Sequence, residues 1–127
     1  MSEFAETLKE WRHHLHRNPE TAFEEVQTSA FVAERLREMG LPVTEHVGKT
    51  GVVATLKVGD GPRVIGLRAD MDALNLHEAG NPPWKSRVEG KMHGCGHDGH
   101  MATLLGAARL LTERRDFSGT VRVVFQP

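Results

Sequence analysis

The chain has 127 residues, 39% hydrophobic and 26% charged, the make-up of one ordinary folded domain and not of a disordered or fibrous segment. Its 16 basic and 17 acidic residues leave a net charge of -1, which excludes a global pull toward nucleic acid or an anionic membrane and makes a small molecule the expected partner. A single cysteine, Cys95, excludes an intrachain disulfide and points to a reducing, cytoplasmic setting.

Met1 to Leu15 lacks the continuous apolar core of a signal peptide, and no apolar run approaches the roughly 20 residues of a bilayer span. Phe4, Leu8, Trp11 and Leu15 instead recur at four, three and four residues, which predicts an amphipathic helix closed by Asn18-Pro19. His13, His14 and His16 are spread around that helix, so solvated or helix-end roles are expected of them. Thr21 with Glu24 has the form of a capping box, and Phe23, Val26, Ala30 and Ala33 continue a second helical stripe that Gly40 can end. Glu24 and Glu25 are accounted for by that helix start.

Beyond Gly40 the period changes. Val43 to Val47 and Gly51 to Val58 are short, β-branched and glycine-bounded, as strands are, and Gly59-Asp60-Gly61-Pro62 is a turn. Arg63 to Ala69 reads as a strand buried on both faces. Asp72 to Met92, rich in Pro, Gly, Asn and charge, predicts a long irregular excursion, and such loops are usually functional. A third helix, capped by Asp98 or a neighbour, follows from the stripe Met101, Leu104, Leu105, Ala108 and Leu111, and Thr120 to Phe125 is a last strand. Helices alternating with buried-type strands predict an α/β fold, a layered sheet with flanking helices. Reactive groups of open α/β sheets gather beyond the carboxyl ends of strands, so a sequence stopping at Gln126-Pro127, just past one, is expected to be part of a larger domain.

Chemistry concentrates in Met92-His93-Gly94-Cys95-Gly96-His97-Asp98-Gly99-His100. Thiolate and imidazole are preferred ligands of zinc and similar ions, and a metal holds its cysteine as thiolate. In an extended segment Cys95 and His97 would project to one side, with His93. His100, at the first turn of the helix, is expected to support its neighbours and not to bind. The bland alternative is a polar loop before a helix, with Cys95 a small buried hydrophobe. A second constellation, Arg68-Ala69-Asp70-Met71-Asp72, ends the Arg63 strand, where two carboxylates can fix the tautomer of ligand imidazoles. A solvated strand end is the alternative there.

Three runs in this order, WRHHLHRNPETAFEEVQTS, GLRADMDAL and KMHGCGHDGHMATLLGAA, resemble the opening, central-strand and metal-binding motifs of the aminoacylase, carboxypeptidase and hippurate hydrolase metallopeptidase family, in its auxin-conjugate hydrolase branch. The resemblance covers nearly the whole chain. It implies the N-terminal portion, residues 1–127, of a zinc-exopeptidase-like catalytic domain, incomplete and without the family's lid and dimerisation domain. It implies two divalent ions (Zn, Mn, Co or Ni), a bridging thiolate at Cys95, a ligand at His97 and a catalytic or orienting acid at Asp72. Asp70, Asp98 and His100 are expected to support the ligands without binding the ion themselves. Gly94 and Asn75 depart from the usual Ala and Pro, and neither is a ligand position. The family's glutamate pair, general base and ligand, and two further His ligands would follow Phe125-Gln126-Pro127. The implied activity is hydrolysis of N-acyl amino acids by an enzyme whose full-length form is a homodimer. The rival readings are a non-catalytic module with a closed structural metal site and a deacetylase of diaminopimelate type.

Overall fold

The computed structural model describes residues 2–127; Met1 lies outside it. Ser2 starts the first helix, α1 (Glu3–Arg17), by accepting a hydrogen bond from the Ala5 amide at 3.1 Å. Glu3 and Glu6 sit in its first turn and His14, His16 and Arg17 in its last, so the charges oppose the helix dipole.

The second helix, α2 (Val26–Glu38), begins later than the Thr21–Glu24 pattern predicts. Thr21 does donate to the Glu24 carboxylate, at 2.7 Å, but inside a turn. Phe23 is left-handed there, with φ 65°, and Phe23 and Val26 are exposed instead of continuing the stripe. The cause is a tertiary tie: the Ala73 amide donates to the Glu20 carbonyl at 2.8 Å, and Thr21 bridges Ala73, which pulls this stretch out of helix. Glu20 then caps α2 from outside, its carboxylate accepting from the amides of Thr28 (2.6 Å) and Gln27 (3.1 Å). The buried face is Thr28, Ser29, Val32, Ala33 and Leu36.

Four strands, β1 (Val43–Val47), β2 (Gly51–Val58), β3 (Val64–Asp70) and β4 (Gly119–Gln126), form one mixed sheet in the order β1-β2-β4-β3. β1 and β4 run antiparallel to β2, and β3 runs parallel to β4. Val52, Ala54 and Leu56 of β2 and Val121, Val123 and Phe125 of β4 are buried at every second position. They meet Leu15 of α1, Val32 and Leu36 of α2, and Met101, Leu104, Leu105 and Ala108 of the third helix, α3 (His97–Arg114). Gly106 lets α1 approach α3, since a Cβ there would lie 2.8 Å from the Leu8 side chain.

The expectation that the Arg63 strand is buried on both faces is wrong. β3 is an edge strand, Val64 and Ile65 are more than half exposed, and within it only Ala69 is fully buried. The Asp72–Met92 excursion is present as predicted, without helix or strand. It is fastened by an isolated Leu74–Met92 bridge, by Trp84 stacked on His13 at 4.0 Å, and by the Arg87 amide on the Arg17 carbonyl. Because β3 and β4 are parallel and joined through α3, their carboxyl ends lie together, with Asp70 beside Gln126 and the start of α3 above them. Among the described residues no helix is long and apolar enough to cross a membrane.

Candidate metal centre

The carboxyl end of β3 delivers Asp70 between two imidazoles from the first turn of α3. Asp70 Oδ2 is 3.2 Å from His97 Nε2, and Oδ1 is 2.7 Å from His100 Nδ1. One ligand atom from each of Asp70, His97 and His100 lies within 4.8 Å of the others. The rings of His97 and His100, three residues apart on one helix face, stack with centroids 5.5 Å apart. Burial would raise the Asp70 carboxyl, but the His100 hydrogen bond and the neighbouring His97 bring it below the ordinary aspartate range, so it stands ionised.

Asp72 works from the other side of His97. Its backbone carbonyl is 2.8 Å and its Oδ1 3.0 Å from Nδ1, so both accept the proton of that nitrogen. On the other side Nε2 faces the Asp70 carboxylate at 3.2 Å. A divalent cation bound there would take the place of the Nε2 proton between the two and leave the Nδ1 proton on Asp72, and an acceptor on the far ring nitrogen is the usual companion of a metal-binding histidine. The donor set therefore fits a divalent ion.

His97 opens α3, and Gly96 before it is left-handed at φ 84°. The cluster is thus a turn and not the extended segment expected, and glycine is what lets the chain turn there. Cys95 is an exposed free thiol outside the three-donor group. His93 is buried with neither ring nitrogen hydrogen-bonded. Burial holds its pKa down at about 4, against the pull of Asp98, so the ring is neutral at pH 7 and both nitrogens lack partners.

Residues 66–127 match the family model for Peptidase family M20/M25/M40. These residues belong to peptidase family M20. The hippurate hydrolase of Campylobacter jejuni is 52% identical over 116 residues, covering 91% of this chain and 30% of that protein. The N-acetylcysteine deacetylase of Bacillus subtilis is 43% identical over 126 residues, covering 98% and 33% respectively. Among solved structures, the YXEP protein of Bacillus subtilis, a dinuclear metal binding peptidase from the M20 family, superposes with a TM-score of 0.92 at 45% identity, over 98% of this chain and 35% of that one. The chain spans about a third of the length of these relatives. The M20 family consists of metal-dependent peptidases and amidohydrolases, and the layered α/β sheet of this chain is that of its catalytic domains.

Two residues beside this donor group are placed by contacts distant in sequence. Of the two cap candidates for α3, Asp98 or a neighbour, it is the neighbour Gly96 that occupies the cap position, and Asp98 lies in the first turn, 2% exposed, 2.8 Å from His16 Nδ1. His16 is accordingly buried and not solvated. The signal was present in α1, where Leu8, Arg12, Leu15 and His16 share one face at i, i+4, i+7 and i+8.

Glu25 is more than a helix-start charge. It is fully buried, Oε1 accepts from Thr50 Oγ1 at 2.9 Å, and Oε2 has no partner. Burial, with the nearby Asp72 charge adding, raises its pKa. A carboxyl raised on folding contributes its stability below the unfolded value of about 4.3 and loses it as pH climbs through the folded value. Glu25→Gln cannot ionise, so its stability relative to the native chain should improve between about pH 4 and pH 8, by about 1 kcal/mol. Urea denaturation at the two pH values reads this, and a difference that stays flat or shrinks toward neutral pH contradicts a raised Glu25.

Proposed function

We propose that residues 1–127 form the N-terminal portion of the catalytic domain of a cytoplasmic, metal-dependent amidohydrolase that cleaves the amide of N-acyl amino acids. The observation that carries this reading is His97 held at Nδ1 by Asp72, with Nε2 facing Asp70 and His100 alongside. The names of two relatives, a hippurate hydrolase and an N-acetylcysteine deacetylase, both describe acylated amino acids as substrates. In this reading Cys95 and His97 are ligands, and Asp72 is the acid that sets the tautomer of His97. Asp70, Asp98 and His100 hold the arrangement. When bound, two divalent ions supply polarisation of the amide carbonyl and activation of water near neutral pH.

The chain's own residues prepare the site for this. Asp72 keeps the His97 proton on the nitrogen away from the donor group. Gly96 brings Cys95 and His97 round one turn. Asp70 and Asp72 are both committed to imidazole nitrogens, so neither is free to take a proton from water, and the general base comes from elsewhere in the full-length protein.

A polypeptide of these 127 residues alone should therefore bind zinc weakly and release no glycine from hippurate. A chimera in which they replace the matching part of the Campylobacter hippurate hydrolase should hydrolyse hippurate and stop on treatment with a chelator. A chimera that folds and takes up metal but does not hydrolyse defeats the proposal. One zinc held tightly by the isolated polypeptide with every ligand supplied would instead indicate a structural module.

A further inference from the structure

Outside the donor group, a deeply buried polar assembly is built on His16. Its ring, 5% exposed, stands between two carboxylates as enclosed as itself. Asp98 Oδ2 is 2.8 Å from Nδ1, and Glu78 Oε1 is 3.1 Å from Nε2. Glu78 also accepts from the Ser86 amide at 2.9 Å, and Arg12 Nε lies 3.4 Å from Asp98 at the rim. Asp98 directly follows His97 in the chain, while Glu78 lies six residues beyond Asp72. One ring thus joins the segment carrying Asp70 and Asp72 to the segment carrying His97 and His100, which backbone pairing links only through the Leu74–Met92 bridge.

Both ring nitrogens are thus engaged, one by each buried carboxyl, so the ring cannot turn without giving up a partner on one segment or the other. Arg12 sets a positive charge at the rim of the assembly, beside Asp98.

We propose that His16 is a positioning residue of the donor site: a buried ring clamped between Asp98 and Glu78 that fixes the spacing at which Asp72 reaches His97. The positioning role rests on the reading of the Asp70, His97 and His100 group as part of a metal centre; the two hydrogen bonds of the ring do not.

Nitrogen NMR of the labelled chain should show both His16 ring nitrogens hydrogen-bonded, and the shifts of a free, tautomerising imidazole overturn the clamp. Zinc titration calorimetry tests the positioning. His16→Asn can hydrogen-bond only where Nδ1 did and His16→Gln only where Nε2 did, so each should weaken zinc binding by about 10–100-fold, the range for a group that orients a ligand. His13→Ala, which loses only the Trp84 stack, should stay within about threefold. Folded His16 variants that bind zinc like the native chain overturn the positioning role. Should both variants fail to fold, Glu78→Ala keeps the ring and removes one of its two partners, and it should weaken zinc in the same range; native affinity in that folded variant overturns the proposal. A native chain that takes up no zinc defeats the metal reading itself, and the nitrogen shifts still decide the ring.

Discussion

Replacing His97 with alanine is expected to abolish divalent-metal binding, with a loss of more than about 100-fold in zinc affinity, the upper end of what an orienting group is worth. His97 is the pivot of the site, because Asp70 meets its Nε2 and Asp72 its Nδ1, at 3.2 and 3.0 Å. Without the ring, Asp70 keeps the more exposed His100 and the Arg68 guanidinium at 3.8 Å, and Asp72 has nothing to orient. Asp72→Ala should be milder, near the tenfold end of the range, because the Asp72 backbone carbonyl at 2.8 Å survives the substitution and still accepts the Nδ1 proton. The order of losses is therefore His97→Ala well above Asp72→Ala, measured by calorimetry against zinc on folded protein. An Asp72 variant as defective as the His97 variant would show that the side chain, and not the carbonyl, fixes the ring. A His97 variant with native affinity would remove the metal centre from this part of the chain.

What the sequence discloses of this fold follows how local each determinant is. β1 and β2 have the expected bounds, since their glycines and β-branched runs act within a few residues. The pairing of the strand-end acids with the cluster before α3 was also readable, and it appears as Asp72 on His97 across 25 residues. Burial of β3 was not, because an apolar strand looks the same at the edge of a sheet as at its centre, and only the order β1-β2-β4-β3 decides. The start of α2 was lost to the Glu20–Ala73 tie, a contact between distant segments that overrides a sound local capping pattern. His16 was misjudged for the same reason: its partners lie 62 and 82 residues away, and three histidines on a helix look alike until those carboxylates close on one of them.

Phe125→Ala should cost about 3–5 kcal/mol, a third or more of the stability expected of a domain this size. Phe125 is fully buried in β4, one of the two inner strands, between Val52 of β2 and Ala69 of β3. Truncating it removes a large ring from a close-packed layer whose neighbours, strands paired on both sides of β4, cannot collapse into the void without breaking ladder bonds. The position also ties stability to the donor site. Ala69 and Asp70 sit opposite Phe125 and Gln126, so any relaxation of β3 toward the cavity carries Asp70 with it. Zinc affinity of the folded variant should fall as well, although Phe125 touches no donor. Phe125→Leu, which keeps most of the volume, should cost less than about 1.5 kcal/mol and leave zinc affinity near native. Urea denaturation with an unchanged m-value separates true destabilisation from a change in the unfolded chain. If the alanine variant lost under about 1 kcal/mol, Phe125 would not be packed as described. If it lost stability while keeping native affinity, the link from the sheet interior to Asp70 would be broken, and the donor group would owe its geometry to the turn at Gly96 alone.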